Sequence, residues 1–275
     1  MIHGIAALMN TTPWGALVES TTVRSRLFDV GYERYDLAER LNVSESDPEF
    51  QALLAEFEDL PADPYATDAG RYRRYARGVM LPWSRTFTWI PEVRQSESDS
   101  VNGYFQGDFN PDFAGVVRTL PAMTESSLNN QLLKDIVLFD FDQTTWSAAD
   151  RAWPLHVGVH LIKLSIDDEE REAISSPNEL HQDGEPFVFA HLMYRRNAIG
   201  GHNVIAPPRC RHMIPSEISP DLIMAEFELT RPLESYGITD EKVSHYVAPI
   251  RKGSSEEAGQ RAVVLVDFTV MRQHI

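Results

Sequence analysis

Cysteine is nearly absent from this sequence, and basic residues and long apolar runs are scarce. Cys210 is the only cysteine among 275 residues, which excludes an intrachain disulfide and fits a reducing compartment. No apolar run approaches the roughly 18 residues that span a bilayer. Residues 1–18 are mildly apolar but contain no basic region of the kind found in signal peptides. We therefore expect a cytoplasmic protein that neither binds a membrane nor is exported.

Acidic residues dominate the charge. With 25 Lys and Arg against 41 Asp and Glu, the net charge is −16, which repels a phosphate backbone and argues against a nucleic-acid partner. Hydrophobic residues at 43% are sufficient for a buried core, so the chain is predicted to fold. The densest basic run, residues 71–77, is compatible with a solvated helix face or a site for a small anion.

The hydrophobic period changes near the middle of the chain. Helical spacing predicts helices over residues 16–41, from Asp47 and Pro48 onward, and over 125–139 after Thr124, so the N-terminal half is expected to be mostly helical. A period of two then predicts strands, which are residues 157–164, 187–193, 224–230, 244–249 and 262–270. Without a repeat or linker, we expect a β-sandwich or small barrel with helices packed outside it, and a ligand site inside.

His181 and Asp183 form the most informative motif. In extended chain, residues i and i+2 project to the same side, so this pair presents an imidazole and a carboxylate to one point. His245, on a later predicted strand, is the candidate for a third ligand. It would complete the triad of two histidines and one carboxylate that leaves three positions open on Fe(II). Arg261, at the mouth of an apolar strand, offers a guanidinium fork for a carboxylate such as that of 2-oxoglutarate.

The segment LHQDGEPFVFAHLMYRRNAIGGHNVIA, residues 180–206, resembles the iron(II)/2-oxoglutarate dioxygenases of the L-isoleucine dioxygenase-like family, which hydroxylate free amino acids. The resemblance covers roughly residues 70–270. It includes Arg71-x-Arg73-x-Tyr75-x-Arg77, Tyr104-Phe105-Gln106, Gly115-x-Val117-Arg118, residues 135–137 and residues 245–268.

This resemblance implies an α+β fold with a double-stranded β-helix core, of the jelly-roll or cupin-like kind, flanked by N-terminal helices. It implies one dioxygenase domain over residues 1–275, with 1–70 as a helical extension and 71–275 as the catalytic core. The iron ligands would be His181, Asp183 and His245, and Arg261 would bind 2-oxoglutarate.

The implied activity uses Fe(II), 2-oxoglutarate and O2 to hydroxylate a small-molecule substrate, a free aliphatic L-amino acid, with succinate and CO2 as coproducts. Candidates for substrate binding are Arg118, Arg71, Arg73 and Tyr104, although a structural role fits each of them equally well. A homodimer is left open.

Three alternatives remain at this stage. The same iron centre could close an aziridine-like ring or desaturate its substrate, the fold could be a non-catalytic binding module, or the ligands could hold the zinc of a hydrolase. The sequence departs from the family in extra residues around 207–212, which suggest a different lid, and in His202 after Gly200-Gly201; both departures leave the identity of the substrate open. His191 is expected in the core, and the dipeptide Gly200-Gly201 is either a plain hairpin turn or a close approach to the cosubstrate.

Overall fold

A seven-stranded antiparallel sheet organises the chain in a computed structural model, which describes residues 26–272 apart from 67, 97–98, 110–113 and 176. With strands numbered in chain order, its spatial order is β1 (Tyr32–Asp36), β12 (Glu234–Thr239), β8 (Phe187–Arg196), β15 (Gly259–Val270), β7 (Leu155–Ile166), β2 (Arg71–Leu81) and β3 (Thr86–Ile90). Strands β7, β8 and β15 are buried along most of their length, so they form the centre of the fold.

Smaller sheets pack on one face of the large sheet. They comprise β11 (Ala225–Phe227), β10 (Asn203–Ala206) and β13 (Ser244–Val247); β14 (Ile250–Lys252) with β9 (Ala198–Gly200); and β4 (Val93–Arg94), β5 (Ser100–Tyr104) and β6 (Arg118–Pro121). Ile205 and Phe227 of the first small sheet share an apolar cluster with Ile162, Leu192 and Val263 of the large sheet. The two layers therefore face each other across a common interior.

Helices cover the opposite face. They are α1 (Arg26–Val30), α2 (Leu37–Leu41), α3 (Pro48–Ala55), α4 (Glu125–Asn129) and α5 (Gln131–Gln143), with 3-10 turns at Asp150–Ala152, Pro208–Cys210, Pro215–Glu217 and Pro220–Leu222. Leu53 of α3 and Ile136 of α5 belong to the same buried cluster as Leu161 and Val264 of the sheet. The result is a mixed α/β architecture with a large antiparallel sheet between helices and smaller sheets.

Several predicted elements are confirmed. Helix α3 begins where expected, because the Asp47 side chain accepts a hydrogen bond from the Glu49 amide (2.9 Å) and Pro48 occupies the first turn. All five predicted strands contain strand structure, although the one at 224–230 is reduced to Ala225–Phe227.

The prediction of a mostly helical N-terminal half is wrong. Within residues 26–41 the predicted single helix is divided by β1, which pairs with β12 at the sheet edge; residues 16–25 lie outside the described part. Gly31 adopts φ +87°, which ends the first helical turn, and Asp36 caps the next. Residues 71–77 are strand rather than helix, because their alternate side chains enter the interior.

The predicted helix at 125–139 is also divided. Asn130 leaves the helical conformation (ψ 124°), and its side chain accepts a hydrogen bond from the Leu133 amide at 2.9 Å. A polar cap inside the apolar pattern thus starts a second helix, which the period alone does not indicate.

Strand register decides which residues enter the interior together. Arg71 of β2 and Arg261 of β15 both lie opposite Leu164 of β7, whereas Arg77 and Asp267 both lie opposite Gly158. These two rows are six residues apart on each strand, or roughly 20 Å. We call them the Arg261 row and the Asp267 row.

Candidate active site

A cavity of about 510 Å³ lies between the large sheet and the smaller sheets. Its walls include Arg71 and Arg261 of the Arg261 row and Asp267 of the Asp267 row, so it extends along the strands. All eight residues predicted from the sequence line it, namely His181, Asp183, His245, Arg261, Arg118, Arg71, Arg73 and Tyr104. The structure therefore brings residues separated by as much as 190 positions into one site.

The two histidines predicted as ligands are held side by side by backbone pairing. His181, in the loop before β8, and His245, on β13, donate their amides to each other's carbonyls, both at 2.9 Å. Their ring centroids are 4.2 Å apart. Because the bridge is formed by the backbone, it sets the spacing of the imidazoles independently of the side chains.

Asp183 completes a compact group with these histidines. Its carboxylate oxygens lie 3.8 Å from His181 Nε2 and 3.3 Å from His245 Nε2, and one ligand atom from each residue falls within 4.8 Å of the others. His181 Nδ1 donates to the Glu179 carbonyl (2.9 Å), which leaves the Nε2 lone pair directed at Asp183. A lone pair facing a carboxylate is stabilised by a cation between them, so these donors fit an Fe(II) ion.

Burial and mutual contact shift the pKa values of all three residues. Burial and the nearby His245 lower the pKa of His181 to about 4, so its imidazole is neutral and able to act as a ligand at neutral pH. Burial opposes the charged form of His245, but the adjacent Asp183 carboxylate outweighs it and raises the pKa. Burial likewise opposes ionisation of Asp183, yet the two imidazoles and the Gln106 amide hold its pKa below the usual range.

Asp240 fixes the loop that carries Asp183. Its two carboxylate oxygens accept hydrogen bonds from the backbone amides of Asp183 (2.9 Å) and Gly184 (2.8 Å), and its carbonyl accepts one from the Gln182 side chain. Gly184 adopts φ +85°, which favours glycine. The turn and the Asp240 carboxylate therefore orient the Asp183 side chain.

The segment around residues 207–212, predicted to be an insertion, also supports this loop. Leu180 and the segment exchange backbone hydrogen bonds, from His212 to the Leu180 carbonyl (2.7 Å) and from Leu180 to the Met213 carbonyl (2.9 Å). Cys210 of the same segment is buried. This segment thus braces Leu180, the residue next to His181.

Arg261 is a buried cation with no anionic partner among the residues that the structure describes. The residue is 3% exposed, and within the described part of the chain its Nε has no hydrogen-bond partner and no carboxylate lies within 4.0 Å. Burial lowers its pKa to about 10. A Cβ on Gly201 (φ +72°) would meet Arg261 Cδ at 3.1 Å, so the Gly200-Gly201 turn leaves room for this side chain. A buried, unpaired guanidinium fits a carboxylate of 2-oxoglutarate.

The predicted substrate arginines already have protein partners. Arg71 donates to Asp63 (2.8 Å) and to the Ser175 carbonyl (2.7 Å). Arg118 donates to Gln106, and its guanidinium lies 4.6 Å from the centre of the Tyr104 ring. The cavity therefore has a cationic, hydrogen-bonded wall near Tyr104.

Arg73 reaches across to an acidic residue through a histidine. It donates to His160 Nδ1 (2.7 Å), and because a guanidinium only donates, His160 carries its proton on Nε2 and donates to Asp267 (3.3 Å). Burial and Arg73 lower the pKa of His160 well below its ordinary value, so it is neutral. Burial and the nearby Asp183 raise the pKa of Asp267 to about 7.

Sequence reasoning missed several residues of the site. Glu185 comes two residues after Asp183 and could have been found there, but His160 and Asp267 carry no local signal because long-range strand pairing places them, and Asp240 lies in the turn after β12. His191 is in the core as expected, where it contacts Asp140 and Ser235, both at 2.9 Å.

A second cavity of about 440 Å³ adjoins the first. The two share a wall formed by Tyr104, Gln106, Asp183, Glu185 and Asp267. Arg77, His156 and Thr269 line the far side. Asp183 thus borders both spaces.

Residues 54–267 match the family model of the 2OG-Fe dioxygenases, so the chain belongs to this family. It is 37% identical to L-isoleucine-4-hydroxylase of Bacillus thuringiensis over 174 residues, which are 62% of this chain and 67% of that protein. It is 25% identical to 3(1)-hydroxy-L-isoleucine 4-dioxygenase of Pantoea ananatis over 223 residues, or 80% and 81% of the two chains.

Solved structures agree with this assignment. IDO from Bacillus thuringiensis superposes with a TM-score of 0.67 at 26% identity, over 90% of this chain and 93% of that one. A BsmA homologue from Methylobium petroleophilum PM1 superposes with a TM-score of 0.70 at 16% identity, over 91% of this chain and 92% of that one, and shows the same fold.

The chain is therefore an enzyme, a 2-oxoglutarate-dependent non-haem iron dioxygenase that uses Fe(II), 2-oxoglutarate and O2. This confirms the expected class and excludes the non-catalytic module and the zinc hydrolase. Among the described residues, no helix is both long and apolar enough to cross a bilayer.

Proposed function

We propose that this enzyme hydroxylates a free aliphatic L-amino acid, and that His181, Asp183 and His245 are its iron ligands. Support for the substrate class comes from the two relatives, whose names describe oxidation of L-isoleucine or its hydroxy derivative. The observation that carries the site assignment is the arrangement of three converging ligand atoms and the unpaired Arg261 in one cavity.

Bound Fe(II) would supply activation of dioxygen coupled to decarboxylation of 2-oxoglutarate. Arg261 would hold the distal carboxylate of 2-oxoglutarate at one end of the cavity by paired, charge-assisted hydrogen bonds. Tyr236 of β12 lies near Arg261 of β15 and lines the same cavity. The ligand loop, fixed by Asp240, keeps Asp183 directed at the metal position.

Arg118, Arg71, Arg73 and Tyr104 would form the wall that receives the substrate carboxylate. Arg73 and Arg118 lie 5.1 and 4.6 Å from the centre of the Tyr104 ring, so their charges are concentrated on one side of the cavity. The apolar side chains Val188, Ile238 and Leu265 offer contacts for an aliphatic side chain and exclude water.

The proposal extends to the architecture. We infer a double-stranded β-helix core, supported by two antiparallel layers that enclose the site, in a single domain over residues 1–275 with a catalytic core from residue 71. Strand β1, from the N-terminal extension, adds to the edge of the core sheet.

Ligand variants test the site. The purified enzyme is loaded anaerobically with Fe(II) and 2-oxoglutarate and exposed to air with a mixture of the standard L-amino acids. Wild type should form succinate, and His181→Ala, Asp183→Ala and His245→Ala should not. His202→Ala is the matched control, because His202 is 39% exposed and lies outside the trio. Retained turnover in any ligand variant contradicts the assignment.

A further inference from the structure

Two carboxylates are buried in the wall shared by the two cavities. Glu185 and Asp267 are 6% and 5% exposed, and both line both spaces. Neither has an assigned role in metal or 2-oxoglutarate binding. Burying a carboxylate is costly unless a cation or several hydrogen-bond donors compensate for it, so their surroundings are informative.

Within the described part of the chain, the side chains that donate to these carboxylates are neutral. Tyr104 donates its hydroxyl to Glu185 Oε1 at 3.3 Å, while Glu185 Oε2 is buried and has no partner among the described residues. Asp267 accepts from neutral His160. In the described part of the chain, no lysine or arginine nitrogen lies within 4.0 Å of either carboxylate.

The backbone leaves room for these groups. Gly158 lies opposite Asp267 in the Asp267 row, and a Cβ at this position would be 2.1 Å from Asp267 Oδ2. A side chain at position 158 would therefore displace the carboxylate. Glycine here keeps Asp267 directed along the cavity wall.

Cationic and anionic groups lie on different sides of Tyr104. Arg73 and Arg118 contact its ring face, whereas its hydroxyl is bonded to Glu185. A free amino acid carries a carboxylate and an ammonium group on one carbon, so it requires both kinds of partner within a short distance.

We propose that Glu185 and Asp267 form the subsite for the α-ammonium group of the substrate. This inference rests on the proposed function and deepens it, because it specifies a free primary amine as a recognition element. The unpartnered Glu185 Oε2 accepts a hydrogen bond from the ammonium group, and Asp267 supplies the second charge. An amino acid with an acylated nitrogen, or a carboxylic acid without the amine, lacks this interaction.

The test compares binding of two probes by calorimetry to the anaerobic complex of enzyme, Fe(II) and 2-oxoglutarate. The first probe is the L-amino acid that yields most succinate when the standard amino acids are screened one at a time, with L-isoleucine tested first. The second probe is the same compound without its amino group. Wild type should prefer the amino acid. Glu185→Gln should weaken its binding by roughly 10- to 100-fold, as for loss of a charge-assisted hydrogen bond, and leave the second probe within about threefold.

Asp267→Asn provides an independent variant with the same expected loss of preference, and Glu226→Gln, on an exposed glutamate, is the control. Retained 2-oxoglutarate affinity shows that each variant is folded. A wild type that binds both probes equally, or variants that keep the preference or weaken both probes alike, overturn the inference alone. A wild type that binds no L-amino acid overturns the proposed function and the inference with it.

Discussion

Replacing Arg261 by alanine should weaken 2-oxoglutarate binding strongly without destabilising the ligand-free protein. The guanidinium is 3% exposed and has no carboxylate partner among the described residues, so a bound carboxylate would be its charge partner. Truncating one member of such a buried pair costs on the order of 2–5 kcal/mol, or roughly 30- to 5,000-fold in Kd. The Kd of Arg261→Lys for 2-oxoglutarate should lie between those of wild type and Arg261→Ala, because lysine keeps the charge and loses the planar fork.

The ligand-free protein should respond differently. Burial lowers the pKa of Arg261 from 12.5 to about 10, which corresponds to about 3 kcal/mol against the charged form in the folded state. Removing this cation relieves that cost, which offsets the lost packing of the side chain. The melting temperature of ligand-free Arg261→Ala is therefore expected to be no lower than that of wild type.

The assay is an anaerobic titration of the Fe(II)-loaded enzyme with 2-oxoglutarate, followed by the absorbance of the chelate. Arg251→Ala serves as control, since Arg251 is 66% exposed and pairs with Glu172 at the surface. An unchanged Kd in Arg261→Ala, or equal weakening in the control, would refute the assignment.

Three further predictions concern the support of the site and the stability of the fold. Asp240→Ala removes the acceptor for the Asp183 amide and should weaken Fe(II) binding by roughly 10- to 100-fold, measured by metal titration; equal affinity would show that the loop is fixed by other contacts. Burial raises the pKa of Asp140 from 3.8 to about 6, so its favourable contribution is complete below pH 4 and lost as the pH rises through 6. Asparagine does not ionise, so the free energy of unfolding of Asp140→Asn minus that of wild type should increase by up to about 3 kcal/mol from pH 4 to pH 7, measured by urea titration. A difference that does not change with pH would contradict the raised pKa. Phe189→Ala empties a fully buried position and should cost about 3–5 kcal/mol in the same assay, whereas Trp83→Ala, at a residue 59% exposed, should change stability by less than about 1 kcal/mol.

The grouping of the predicted metal ligands could be anticipated from the sequence because its signal is local. His181 and Asp183 are two residues apart in extended chain, and the structure places them as that spacing requires, with His245 joined by a backbone bridge. Strands β7, β8 and β15 are likewise predictable, since a period of two over buried residues has few other interpretations.

The rest depends on pairing between distant segments. Strand β1 forms because it pairs with β12 at the edge of the sheet. Its own sequence pattern is equally compatible with a helix, so the strand could not be predicted from it. Residues 71–77 resemble a charged helix face until β7 pairs with them and draws Arg73 into the interior. Asp267 enters the site only because Gly158 lies opposite it, a relation between positions more than 100 residues apart.

The most direct test of the central claim is the mass of the product formed with succinate. The enzyme with Fe(II), 2-oxoglutarate and a single L-amino acid is exposed to air, and both products are quantified by mass spectrometry. The account predicts one succinate for each amino acid product that is heavier by 16 mass units. A product lighter by two mass units would indicate ring closure or desaturation, and no succinate with any L-amino acid would contradict the proposed substrate class.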